Sequence, residues 1–146
     1  MKNLLFLFVL SLTIKISYSQ DLGAYTDFRD RFYIFDHGKS IKAEDLLVQS
    51  FKIGGECVLY INSKGNLNLY QNGAISKLEP GGVTHYYATD YLAAYSVYEK
   101  LKVVENGRAV TLSTRCPVYQ VEDSLIVYYD KNLESLRVYY DGESID

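Results

Sequence analysis

The chain predicts an all-β fold of tandem double hairpins. Two observations carry that prediction. Four tight-turn glycines, Gly38, Gly73, Gly107 and Gly142, recur at a spacing of about 35 residues, and so do the tyrosines Tyr60, Tyr95 and Tyr128. A fixed period of this size marks one supersecondary unit copied in series. Between the markers, β-branched and aromatic residues alternate in runs too short for ordinary helices.

Each unit opens on a short strand. The residues six and four before the glycine are Phe32 and Ile34, Leu67 and Leu69, Leu101 and Val103, Leu136 and Val138. Their shared parity puts them on one strand face. The residue three before the glycine (Phe35, Tyr70, Val104 or Tyr139) points to the other face. The turns read His37-Gly38, Asn72-Gly73, Asn106-Gly107 and Asp141-Gly142. Asn-Gly and Asp-Gly accept positive φ at both central positions and favour a type I′ hairpin; His-Gly is a weaker form of that signal. A return strand follows, carrying Leu78 or Leu112.

A second hairpin completes the unit. Phe51, Tyr86 and Tyr119 precede a turn at Gly55, Asp90 or Asp123, and the strand after it ends on the repeat tyrosine. The stretch from Ile41 to Gln49 departs from the later copies and has room for one helical turn. The run Leu125-Ile126-Val127-Tyr128-Tyr129 is apolar at both parities, as in a sheet buried on both faces. Small antiparallel sheets stacked around an axis form a β-propeller, and along a line a β-solenoid. The expectation is a partial β-propeller, with the solenoid as alternative.

Residues 1–19 read as a secretory signal peptide. Met1-Lys2-Asn3 precedes the apolar run Leu4 to Leu12, and Ser17-Tyr18-Ser19 is a small-x-small cleavage site. The expectation is a secreted or periplasmic protein without membrane insertion after cleavage. The β-repeat domain then spans 20–146, as about three units plus the start of a fourth. The fourth unit halts just past Gly142, which reads as the N-terminal part of a longer chain. The other reading is self-association through the unfinished C-terminal edge at Leu136, Val138 and Tyr139, since open sheet edges invite pairing.

The chain carries 18 acidic against 15 basic residues, a net charge of −3. Loss of Lys2 and Lys15 with the signal peptide makes it more acidic. That balance, without a basic block, argues against nucleic acid and anionic lipid as partners. Cys57 and Cys116 fall in different phases of the repeat, so a disulfide needs two distant segments to meet; otherwise they are isolated thiols.

The recurrent Leu-x-Val-Tyr-x-Asn/Asp-Gly, followed by Tyr-x-x-x-Asp-x-Leu-x-x-Tyr, resembles a group of exported bacterial β-propeller-like repeat proteins. The resemblance runs from about Phe28 to Glu143 and includes Leu67 to Gly73, Tyr86 to Tyr95, Leu101 to Gly107, Tyr119 to Tyr128 and Leu136 to Gly142. It implies fold and export, with repeats that are structural rather than catalytic. Gly55 in place of the turn Asp, and the altered stretch 40–50, set the first unit apart.

Catalytic, cofactor and metal residues are not spelled out. His37 sits in a hairpin turn and His85 in one unit only, short of the ligand set zinc needs. Asp90 and Asp123 recur at turns, where an Asp side chain bonds backbone N–H two residues on. Arg115 beside Cys116 is a weak signal for a lowered thiol pKa. The chain has 15 tyrosines. Of these, Tyr87, Tyr98, Tyr129 and Tyr140 lie beside the packing positions and are the candidate partner-binding residues, since exposed tyrosines stack on sugars or anchor protein contacts. The expected function is an exported, non-enzymatic binding or scaffold module with a protein or glycan partner. The alternative is a fragment of a propeller-type hydrolase or lyase.

Overall fold

A computed structural model describes residues 21–146. The signal peptide expected over residues 1–19 lies outside the described residues. Among the described residues, fifteen strands form four antiparallel sheets of consecutive strands. The first has three described strands, β1 (Leu22–Thr26), β2 (Phe32–Asp36) and β3 (Lys39–Glu44). The second runs β4 (Ser50–Ile53), β5 (Cys57–Ile61), β6 (Leu67–Gln71) and β7 (Ala74–Glu79). The third runs β8 (Val83–Ala88), β9 (Ala93–Val97), β10 (Lys100–Glu105) and β11 (Arg108–Ser113). The fourth runs β12 (Tyr119–Val121), β13 (Leu125–Asp130), β14 (Ser135–Tyr140) and β15 (Glu143–Ile145).

The four repeat turns take the expected form. His37, Asn72, Asn106 and Asp141 have φ of 45°, 52°, 50° and 50°, and each following glycine is also positive. Positive φ at both central residues defines the I′ hairpin, and His37 adopts it as Asn does.

The sheets are offset from the units read in the sequence. Each later sheet joins the second hairpin of one unit to the first hairpin of the next. Tyr60 on β5 and Leu67 on β6 therefore share a sheet. Pro80-Gly81-Gly82, not the Asn62-to-Asn66 loop, makes the step between sheets. Asn62 closes that loop locally, accepting the Lys64 and Asn66 N–H groups on its Oδ1 at 3.1 Å each. The strand after Gly142 is present as β15, paired to β14 through Tyr140 with Glu143 and Val138 with Ile145.

The expected helical turn between Ile41 and Gln49 is corrected. Lys39–Glu44 is strand β3, and an irregular link without a helix follows. Ile41 pairs with Ile34, and packs in an apolar core together with Ala43. That burial decides the local structure against weak helix propensity.

Three apolar cores lie between successive sheets. Phe32, Ile34, Val58, Tyr60 and Tyr70 fill the first junction. Cys57, Leu59, Leu67, Leu69, Tyr86 and Tyr95 fill the second. Ala94, Leu101, Val103, Ile126, Tyr128 and Tyr139 fill the third. Adjacent residues of one strand thus serve opposite cores, as Val58 and Leu59 do. Strands β5 and β9 are accordingly buried on both faces. Burying one such aliphatic side chain contributes about 1.5–3 kcal/mol. Strand β13, the segment that suggested two buried faces, is fully buried only at alternate positions, Ile126, Tyr128 and Asp130.

Backbone approach between sheets is close at one place. A Cβ on Gly54 would stand 2.3 Å from Thr89 O, and one on Gly55 2.5 Å from Asp90 O. Gly55, which breaks the repeat motif, is there because the next sheet's turn leaves no room for a side chain.

Candidate binding cleft between the third and fourth sheets

The type I′ turns and the β8–β9 and β12–β13 turns gather at one end of the stacked sheets, where neighbouring sheets are tied together. Tyr70 Oη donates to Asp36 Oδ2 at 2.6 Å, and Tyr139 Oη donates to Glu105 Oε1 at 2.8 Å. In each pair the tyrosine, three residues before its glycine, reaches an acid two residues before the previous glycine. Burial and Asp36 push Tyr70 up to about 12. Burial, Glu105 and Asp141 push Tyr139 higher still. Between these junctions Val104 takes the tyrosine's place, and a hollow of about 60 Å³ opens beside Gln71 and Cys57.

The turns add a second tie. Gly55 N–H donates to Thr89 O at 3.0 Å. Asp90 N–H donates to Asp123 Oδ1 at 3.2 Å, and Thr89 Oγ1 lies 2.6 Å from Asp123 O. Asp123 was expected to bond within its own turn; it holds the turn of the preceding sheet instead. In the β8–β9 turn Thr89 Oγ1 accepts the Tyr91 and Leu92 N–H groups, at 3.3 and 3.0 Å.

Beyond these ties the third and fourth sheets leave a cleft of about 520 Å³. Tyr91 and Tyr140, 76% and 55% exposed, are its aromatic lining residues. Glu105, Asn106, Ser124 and Asp141 supply polar groups, and none of the described lining residues is basic. The cleft can therefore offer aromatic residues beside hydrogen-bond acceptors, with the carboxylates of two neighbouring sheets, Glu105 and Asp141, among its lining groups.

The four tyrosines singled out in the sequence take different positions. Tyr140 lines the cleft. Tyr87 is half-buried, edge-on to Tyr119 at 6.2 Å, with Lys52 Nζ 4.8 Å from its ring centre. Tyr98 is 81% exposed in the β9–β10 turn, at φ 54°, at the other end of its sheet. Tyr129 is half-buried on β13, opposite Leu136. Tyr91 was missed by the sequence reading. Its signal lies in the repeat: Glu56, Tyr91 and Ser124 each follow the turn residue, so an aromatic there stands at an exposed position.

His37 is exposed and bonded to Asp36, and His85 is exposed on β8. Among the described residues, no group of three or more His, Cys, Asp or Glu gathers as a metal set. Both cysteines are free and buried, in different cores. Burial pushes each thiol up to about 11. The lowering expected from Arg115 is corrected: desolvation dominates at Cys116, and Asp130 adds to it.

Sheets of four consecutive antiparallel strands, stacked face to face and tied at their turns, are the blades of a β-propeller. The chain belongs to the family of the 10-bladed β-propeller domain, whose sequence model matches residues 16–146. Among solved structures it is similar to the computationally designed Ika4 protein, at 13% identity and a TM-score of 0.46, over 84% of this chain and 87% of that one. It is similar also to Kluyveromyces lactis Hsv2, at 12% identity and a TM-score of 0.48, over 86% of this chain. The N-terminal domain of Nup159 aligns at 13% identity with a TM-score of 0.44, over 85% of this chain. The chain spans 45% of the Hsv2 chain and 44% of the Nup159 domain. No curated protein matches the sequence.

Proposed function

We propose that the chain is an exported, non-enzymatic propeller module that binds a glycan in the cleft between its third and fourth sheets. The observation that carries this reading is the cleft itself. Tyr91 and Tyr140, both exposed, line it together with Glu105, Asn106, Ser124 and Asp141. Sugar rings stack their C–H faces on tyrosine while their hydroxyls bond to planar polar groups. Export is supported by the charged start, apolar run and small-x-small site of residues 1–19.

The test is a glycan array probed with the purified protein, followed by titration of the best ligand. Binding weakened about tenfold or more in Tyr91→Ala and Tyr140→Ala, with the melt unchanged, is the expected result; tenfold corresponds to about 1.4 kcal/mol. Unchanged binding in both variants contradicts the cleft as the site. Capture of a protein segment that those variants abolish, with no glycan bound, replaces the glycan by a protein partner.

A further inference from the structure

Among the described residues, none packs on the face of the fourth sheet that corresponds to the buried apolar face of the earlier ones. Phe32 and Ile34 are both 0% exposed, Leu67 and Leu69 are 0% and 1%, and Leu101 and Val103 are 0% and 1%. Their counterparts on β14 are Leu136, 63% exposed, and Val138, half-buried. Ile145 on β15 is 55% exposed, and Leu125, Val127 and Tyr129 on β13 are half-buried on the same side. In the three earlier sheets this face is covered by the next sheet's tyrosines.

The first sheet carries the matching half. Each later sheet grips its predecessor through β5, β9 or β13 and through the strand that follows. Tyr70 and Tyr139 do so from the position that Phe35 occupies on β2, and Phe35 is 40% exposed. Tyr25, on the equivalent face of β1, is 43% exposed and stacked on Tyr33 at 5.3 Å. Arg31 lies over Tyr33, and Lys42 extends from β3. This end is aromatic, and its cations are paired locally, Arg31 with Asp27 and Lys42 with Asp45. The face at the other end carries Leu136, Val138 and Tyr129, with Glu143 on β15.

We propose that the open face of the fourth sheet receives the first sheet of a second copy of this chain, head to tail. The contact continues the three sheet-to-sheet interfaces already within the chain. Leu136 and Val138 are then covered as Leu101 and Val103 are, and Phe35 takes the place of Tyr139 against its neighbour. Such a contact joins two different surfaces, so it extends into a ring or an open array according to its rotation.

The test is the mass of the purified protein in solution, by light scattering up to roughly 100 μM, within reach of a micromolar interface. The expected mass is a multiple of the chain's. Leu136→Lys blocks the fourth sheet and Phe35→Lys the first, and each variant alone is expected to run as a folded monomer with a wild-type spectrum. Mixing the two leaves one intact face on each partner, so the mixture is expected to give a dimer and nothing larger. A monomeric wild-type protein overturns the proposal. Association that survives Phe35→Lys, or a mixture that stays monomeric, overturns it too. Leu136 and Phe35 do not line the cleft, whereas Tyr140 shares the open face of β14 with Leu136 and Val138, so Tyr91→Ala is the variant that reads glycan binding apart from self-association.

Discussion

Tyr139 Oη donates to Glu105 Oε1 at 2.8 Å across the third junction, and Tyr70 repeats the bond to Asp36 at 2.6 Å across the first. The two bonds are separated by two repeats and use the same pair of positions. Each ties a hairpin turn to the sheet before it, and the Tyr139–Glu105 bond forms an edge of the cleft.

Removing the hydroxyl tests that tie. Tyr70→Phe keeps the buried ring and leaves Asp36 one partner short. A hydrogen bond to a charged group contributes about 1.5–3 kcal/mol, and part exposure of Asp36 discounts it toward about 1 kcal/mol. The midpoint of urea unfolding is expected to fall at unchanged slope. A midpoint equal to wild type would show that the bond adds nothing.

The same pair sets how stability varies with pH. Tyr70 and, after it, His37 hold the Asp36 carboxyl below its usual value. Its contribution is present above the unfolded value of about 3.9 and is lost as pH falls through the folded value. Tyr70 is pushed up to about 12. Its contribution is full below the unfolded value of about 10 and is lost as pH rises through the folded one. Melting temperatures are therefore expected to drop on both flanks, and Tyr70→Phe to shrink the drop on each. An identical pH profile for the variant would contradict the assignment.

Gly55→Ala is the severe substitution. The new Cβ meets Asp90 O at 2.5 Å, a backbone atom that moves only with its sheet. Overpacking of this kind costs about 1–3 kcal/mol. Calorimetry is expected to show a lower melting temperature for Gly55→Ala and little change for Gly23→Ala, whose Cβ finds its neighbour at 3.8 Å.

The period, the strands and the I′ turns were legible because each rests on local chemistry: Leu67 and Leu69 alternate, and Asn72-Gly73 accepts positive φ. Sheet boundaries were not legible. The Asn62-to-Asn66 loop joins two strands of one sheet, while Pro80-Gly81-Gly82 leads to the next, and local turn signals do not separate those cases. The site was half legible. Tyr140 stood out as an aromatic beside packing positions, but Glu105 and Tyr91 reach the cleft only through the stacking of sheets. Asp123 was placed at a turn correctly, yet its partner, the Asp90 N–H, lies in the sheet before.

The cysteines give a readout of the cores. Cys57 and Cys116 are 5% and 4% exposed, with thiols raised to about 11. Thiolate is the reactive form. A thiol reagent at pH 8 is expected to label the native protein about 100-fold more slowly than the denatured one, and to reach both thiols only in denaturant. Rapid labelling of either in native buffer would show that its junction is open.

The stacking of the sheets is tested most directly by hydrogen exchange at the Gly55 amide. This N–H donates to Thr89 O in the next sheet, across the second junction. Only stacking protects it. The array predicts slow exchange at Gly55, approaching that of the β5 and β9 core amides. Exchange at the unprotected rate, with β5 and β9 still protected, would mean that the sheets fold but do not stack as described.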